Sequence, residues 1–175
     1  MLHPREISLT EAAQSDAPLL ANLLQLYIHD LSEAFPNIVL GPDGLYSYPK
    51  LPLYWSEPER RFPFLIHADG QIAGFLFATR GSPASDDPEV LDIAELFILR
   101  RYRRSGVGRD AALLLWSRLP GQWTVRVSEG NPAAIPFWAR IIADFTHGTA
   151  TVSARPGNPN PWRVFSFESA RTHEH

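Results

Sequence analysis

One mixed α/β domain is the fold class this sequence predicts, and three features predict it. Two apolar segments flank Asp69-Gly70 in "PFLIHADGQIAGFLFATRG". That is the pattern of a β-hairpin closed by a type I′ turn, whose two central positions both need positive φ. A third apolar run, "VLDIAELFIL" at 90–99, leads into a turn rich in arginine and glycine and then into an amphipathic stretch. Strand-like and helix-like segments follow one another to the end, with no internal repeat, linker or low-complexity segment between them.

The elements follow in order. Ile7–Leu9 reads as a short strand. "SDAPLLANLLQLYIHDLSEAF" reads as a helix, capped by Ser15 or Asp16, with Pro18 in the first turn where a missing N–H costs little. Leu20, Leu23, Leu24, Tyr27 and Leu31 form its apolar stripe. His29, Asp30 and Glu33 fall off that stripe, as a solvated face would. Residues 35–62 carry five prolines and the aromatics Tyr46, Tyr48, Tyr54 and Trp55 with little periodicity. Such a segment is a lid over a site, a packed cover, or both.

After the hairpin, the run at 90–99 is apolar enough to be a central strand. The helix behind the Arg/Gly turn extends from about Val107 to Leu119, with Ala112, Leu115, Trp116 and Leu119 inward and Pro120-Gly121 ending it. "WTVRVSE" alternates as a strand, with Thr124, Arg126 and Ser128 on one face. "GNPAAIPFWARIIADF" reads as a helix capped by Asn131 with Pro132 at its first position, so that Pro136 removes a hydrogen bond one turn in and bends the start. Strands around Thr149–Ala154 and Val164–Glu168 complete the series, separated by "RPGNPNPW". The domain spans 1–170, and 171–175 is a polar tail.

Composition narrows the function. A chain of 175 residues has room for a substantial core, and its net charge of −3 argues against a nucleic-acid coat or a membrane-surface protein. With no cysteine, disulfides, thiolate metal sites and a cysteine nucleophile are excluded. The six histidines are scattered and suggest no metal site; His173 and His175 fall in the tail. No signal-peptide layout or apolar run of about 20 residues is present, so a cytoplasmic protein is expected.

A basic patch on an acidic chain needs a local reason. "RRYRRSGVGRDAA" at 101–113 gathers Arg101, Arg103, Arg104 and Arg109 around Gly106 and Gly108, directly behind Arg100. A helix N-terminus offers amides with no intrahelical partner and about half a positive charge. Glycines clear the Cβ atoms that would keep a ligand from those amides, and arginines add charge and bidentate geometry. Together they describe a cradle for phosphate or pyrophosphate. An ordinary turn with a solvated rim would carry the same residues. The spacing fits neither the P-loop nor the dinucleotide fingerprint.

Arg103-Arg104-Ser105-Gly106-Val107-Gly108 resembles the Arg/Gln-x-x-Gly-x-Gly/Ala signature of the GNAT family of N-acetyltransferases. Asn131, Ala134, Phe137 and Trp138 resemble that family's Asn-x-x-Ala-x-x-Phe-Tyr, with Trp in the last place. The element order is similar over nearly the whole chain. The resemblance implies a central mixed, mostly antiparallel sheet of six to seven strands flanked by about four helices. It implies acetyl-CoA as co-substrate and no metal, with the pyrophosphate on the amides of Arg104 through Arg109. The pantetheine would run beside Leu96, Phe97 and Ile98, Asn131 would contact it from the next helix, and Arg100 or Arg101 would serve the 3′-phosphate.

Acetyl transfer requires loss of a proton from the amine and polarisation of the thioester carbonyl, which the family achieves with a backbone N–H, here near Ile98. Two carboxylates are candidate bases, Asp92 and Glu95. Asp92 would otherwise be a solvated strand start, and Glu95 a salt-bridge partner. Three residues apart on a regular strand they face opposite ways, unless a bulge breaks that parity. The family's usual general-acid tyrosine is replaced by Trp138, whose indole cannot usefully give up its proton. The substitute would be Tyr46, Tyr48 or Tyr54, or else the thiolate leaves unassisted.

The leading expectation is an N-acetyltransferase acting on a primary amine of a small molecule or peptide by direct attack on the thioester. Asp30, Glu33 and Glu57 would suit a cationic acceptor. The alternative on the same fold is a non-catalytic acyl-CoA-binding or regulatory domain. A nucleic-acid-binding module built on the arginines is disfavoured by the net charge. Exposed strand edges near the C-terminus leave room for a homodimer.

Overall fold

The structure, a computed structural model, describes residues 5–170. His3, His173, His175 and the tail lie outside them. β1 (Ile7–Glu11) precedes α1 (Ala17–Ser32), and a long irregular cover holding the single turn α2 (Leu53–Ser56) leads to β2 (Arg61–Ala68) and β3 (Gln71–Arg80). β4 (Leu91–Ile98), α3 (Val107–Arg118), β5 (Gly121–Ser128), α4 (Ala134–Thr146), β6 (Thr151–Arg155) and β7 (Trp162–Ser169) are the remaining elements of the described residues. The seven strands lie in the order β1-β2-β3-β4-β5-β7-β6. Every neighbouring pair is antiparallel except β4 and β5. The mixed, mostly antiparallel sheet and its four helices are those expected.

The hairpin is closed as its residues require: Asp69 (φ 51°) and Gly70 (φ 74°) both take the left-handed conformation. Leu20, Leu23, Leu24 and Ile28 form the buried stripe of α1, packed with Phe75, Phe77 and Phe97 on one sheet face. On the opposite face Leu115 and Trp116 of α3 and Ile141 and Ile142 of α4 meet Leu91, Ile93, Trp123 and Val125. Each helix thus buries one stripe against alternate residues of the strands, as the two periodicities demand.

One stated alternative is realised and one expectation changes. Residues 35–60 are a packed cover, tied down at several points. Tyr54 is buried with its ring 4.3 Å from that of Phe77, Trp55 Nε1 donates to the Ala12 carbonyl (3.1 Å), and the Gln25 amide engages both backbone groups of Tyr46 (2.8 Å each). The cap at Asn131 is not observed: α4 begins at Ala134, and residues 131–134 form a turn closed by Ala134 N–H on the Asn131 carbonyl (3.2 Å). Pro136 therefore sits in the first turn of the helix. Its missing N–H would have had no intrahelical partner there, so it need not bend the helix.

Candidate active site

β4 and β5 pair only over Leu91–Ile93 and Trp123–Val125. Beyond Ile93 the strands diverge, and the β5-facing backbone of 94–98 has no strand partner. A groove of about 1300 Å³ opens along this divergence. Leu96, Phe97 and Ile98 form one wall, and Asn131, Phe137 and Trp138 another. The floor is the β4–α3 turn, where Arg103, Arg104, Gly106, Gly108 and Arg109 line the groove.

The turn has the backbone that the glycines predict. Arg104 (φ 58°) and Gly106 (φ 85°) are left-handed, and the first bond of α3 runs from Asp110 N–H to the Gly106 carbonyl (2.9 Å). The N–H groups of Val107, Gly108 and Arg109 therefore precede the helical ladder and have no intrahelical acceptor. A Cβ at Gly108 would lie 3.2 Å from Phe137 Cζ and 3.4 Å from Ile98 Cγ1, so a glycine here lets both groove walls approach the helix closely, and a larger residue would have to displace the Phe137 ring. Two residues of the motif turn their side chains elsewhere. Val107 is buried in the core, and Ser105 Oγ donates to the Tyr102 carbonyl (2.6 Å). Both contribute backbone to the turn.

The arginines divide in a way the sequence conceals. Asp30 of α1 is not on a solvated face: its carboxylate accepts from Arg100 Nη2 (2.8 Å) and Arg103 Nη2 (2.5 Å), while Arg103 Nε donates to the Ile98 carbonyl (2.8 Å). Burial alone would raise the Asp30 carboxyl, but the hydrogen bonds and charges of Arg103 and Arg100 outweigh it and hold it below the usual range. Arg101 is exposed, its guanidinium 5.3 Å from the Tyr102 ring centroid. Arg104 and Arg140 line the groove with no ion-pair partner among the described residues. Arg109 also lines it, 3.9 Å from Asp110. Part of the basic cluster thus fastens the turn to α1, and the remainder faces the groove.

The two candidate bases lie on one face. Phe77 pairs with Glu95 but Ala78 with Ile93, so Ala94 is an extra residue and the parity of β4 is broken. Asp92 is fully buried. It accepts from Ser82 Oγ (3.0 Å), Thr124 Oγ1 (2.7 Å) and Arg126 Nε (3.0 Å) on Oδ1, and from Arg126 Nη2 (2.7 Å) on Oδ2. It is not a solvated strand start. Enclosed on all sides and held by these donors, the carboxylate presents no exposed edge to a substrate.

Glu95 forms no ion pair among the described residues. Half-buried, it accepts from Tyr27 Oη (2.5 Å) and, weakly, from Tyr48 Oη (3.4 Å). Burial pushes its carboxyl above the ordinary range, although these hydrogen bonds and the charges of Arg126 and Lys50 pull the other way. Tyr27 is also pushed well up, by burial and then by Glu95, so its phenol stays a donor. Glu95 lines a second cavity of about 420 Å³ on the α1 side of the sheet, whereas Tyr27 lines the groove. The Tyr27–Glu95 hydrogen bond spans the two.

Asp30 and Glu33 line the groove, but Glu57 lines the second cavity, paired with Arg61 at 2.7 Å, so the three form no common acidic surface. Of the tyrosines from the cover, Tyr48 reaches Glu95, Tyr54 is buried against Phe77, and Tyr46 Oη lies 3.2 Å from His29 Nδ1. In the sequence Tyr27 reads only as part of an apolar stripe. Its hydroxyl meets Glu95 across 68 residues of sequence, and no local pattern announces that. Arg126 can be placed on a strand face from the sequence but not matched to Asp92 without the β4–β5 register. Among the described residues, no three His, Asp or Glu side chains gather as a metal site, and no helix is long and apolar enough to cross a membrane.

Residues 24–142 match the acetyltransferase (GNAT) family. No curated protein matches the chain in sequence. An acetyltransferase from Thermus thermophilus superposes with a TM-score of 0.64 at 20% identity, covering 95% of this chain and 100% of that one. The yncA protein of Salmonella typhimurium, solved with its cofactor acetyl-CoA, gives 0.64 at 10% identity over 97% and 96%. Spermidine N-acetyltransferase from Vibrio cholerae, in complex with CoA and spermine, gives 0.63 at 11% identity over 93% and 95%.

Proposed function

The chain belongs to the acetyltransferase (GNAT) family, and on that premise we propose that it transfers the acetyl group of acetyl-CoA to a primary amine of a small molecule or peptide, by direct attack of the amine on the thioester. The observation that carries this reading is a juxtaposition. The groove with its amide cradle and unpaired β4 edge adjoins, on that strand, a carboxylate with a raised pKa.

The groove residues suit acetyl-CoA. The amides of Arg104 through Arg109, with the side chains of Arg104, Arg109 and Arg140, hold its phosphates, while Arg103 keeps the turn in place through Asp30. Leu96, Phe97 and Ile98 offer backbone partners to the pantetheine, and Asn131, Phe137 and Trp138 close the opposite wall. Bound there, acetyl-CoA supplies the thioester acyl group. A backbone N–H near Ile98 polarises its carbonyl oxygen.

Glu95 is the base. Its raised pKa brings it nearer to neutral pH, where a base balances proton affinity against being deprotonated. It takes the amine proton directly or through one water. Tyr27 holds the Glu95 carboxylate in place and sets a phenolic proton beside the groove, a role that Trp138 cannot fill. Asp92 is a positioning residue: it fixes Arg126, whose charge faces Glu95.

Calorimetric titration with acetyl-CoA, followed by thiol release in the presence of an amine panel, tests this. Near-stoichiometric binding that Gly106→Trp abolishes, with CoA released only when an amine is present, is expected. No binding at millimolar acetyl-CoA would sink the reading. Binding without turnover on any amine would leave a non-catalytic acyl-CoA-binding domain.

A further inference from the structure

Resting on the reading of Glu95 as the base, we propose that the cavity it lines selects a primary amine that also carries an anionic group, a carboxylate or phosphonate. The cavity, about 420 Å³, has the size for a compact molecule such as an amino acid. Its lining is cationic: Lys50, Arg60, Arg61, Arg80 and Arg126 surround it. Only Glu57 and Glu95 among the lining residues are acidic.

The ion pairs show which charges are already spent. Glu57 holds Arg61 Nε (2.7 Å), the exposed Glu89 is shared by Arg80 (3.4 Å) and Arg60 (3.8 Å), and the buried Asp92 holds Arg126 Nε and Nη2. Five cations thus meet four carboxylates even when Glu95 is ionised. Protonation of Glu95 by the incoming amine makes the excess larger.

The donors outside these ion pairs include Lys50, which forms no ion pair among the described residues, and Nη1 of Arg126, for which Asp92 offers no acceptor. Both charges act on Glu95, so an anion between them would be bound close to the base. A second ammonium group would have to enter among the same five cations in a half-enclosed site, where like charges repel strongly. This reverses the cationic preference suggested by Asp30, Glu33 and Glu57, because Asp30 and Glu57 are both neutralised by arginines. The anionic group anchors the acceptor in the cavity, and its amine points along β4 to Glu95.

Matched acceptors test the charge rule. For each of several chain lengths, kcat/KM would be measured for the aminocarboxylate, the aminophosphonate, the amine with neither group, and the diamine; 4-aminobutanoate, butylamine and 1,4-diaminobutane make one such set. An anionic acceptor of at least one length should exceed its neutral partner by tenfold or more and its diamine by more. Lys50→Glu should erase or invert that order, and Lys50→Arg should restore it. Faster reaction of the neutral amines or diamines at every length would overturn the proposal while leaving the N-acetyltransferase reading intact.

If no amine turns over, the base reading fails separately. Calorimetric binding of the same set to CoA-loaded protein then decides the charge rule: binding of the anionic member that Lys50→Glu abolishes upholds it, and equal or absent binding overturns it.

Discussion

Replacing Asp92 by Asn separates a buried anchor from a catalytic base. The carboxylate is fully buried and takes four hydrogen bonds, two of them from a guanidinium whose side chain is only 20% exposed. An asparagine keeps one acceptor oxygen and turns an N–H₂ group toward Arg126, which has only donors to offer. Breaking a buried pair by removing one partner's charge costs about 3–5 kcal/mol. The residual access of Arg126 to water places D92N near the lower end, about 3 kcal/mol. For a chain of this size each kcal/mol lowers Tm by about 2–4 °C, giving a fall of about 6–12 °C.

Denaturant unfolding followed by circular dichroism, with calorimetric Tm, reads the loss. A cycle with Arg126→Met should return a coupling of about 2 kcal/mol, because D92N/R126M no longer strands a buried guanidinium. At a temperature where D92N remains folded, kcat should fall by less than about tenfold, well short of the ~10²–10⁴ that a lost general base costs. Two results would contradict an anchoring role for Asp92. Stability of D92N within about 1 kcal/mol of the parent would mean the network is not an anchor. A loss of kcat beyond about a hundredfold with stability intact would return Asp92 to the role of base.

Glu95→Gln should lower kcat by about 10²–10³ while leaving acetyl-CoA affinity within about threefold. Its Tm at neutral pH should be no lower than the parent's: a carboxylate with a raised folded pKa opposes folding increasingly as pH rises from its unfolded pKa through its folded one, and Gln removes that penalty. The ascending acid limb of the parent's kcat profile, with a midpoint above the ordinary carboxylate range, should vanish in E95Q. Tyr27→Phe deletes the 2.5 Å hydrogen bond to Glu95, and kcat should fall about tenfold or more with that limb displaced; an unmoved profile would remove Tyr27 from the proton path. Asp30 has a depressed folded pKa, so its contribution is present at neutral pH and lost as pH falls through that value. Asp30→Asn should accordingly lower Tm near neutrality and leave it nearly unchanged at strongly acid pH. Gly106→Ala should cost about 1–2 kcal/mol, because a Cβ is strained at φ 85° even with open space beside it. An unchanged denaturation midpoint would contradict this.

Much of the fold and the glycine-lined turn at the groove floor could be read from neighbouring residues alone. Asp69-Gly70 demands a left-handed pair and therefore a hairpin. Gly106 and Gly108 between an apolar strand and an amphipathic helix demand an open helix N-terminus. The start of α4 differs from the expected one because Asn131-Pro132 and Pro136 offer two permissible entries to one helix. Packing of Trp138, Ile141 and Ile142 accompanies the later one.

Local sequence specifies the elements, the glycine-lined turn and the family motif, since each depends on preferences acting over a few residues. The partners of the charged residues depend instead on the folded arrangement. The extra residue at Ala94 puts Asp92 and Glu95 on one face, the β4–β5 register brings Arg126 to Asp92, and α1 carries Asp30 to Arg103 and Tyr27 to Glu95. Those pairings span 34 to 73 residues. A carboxylate's pKa and partners follow from what is packed around it, and that neighbourhood exists only once the sheet has formed.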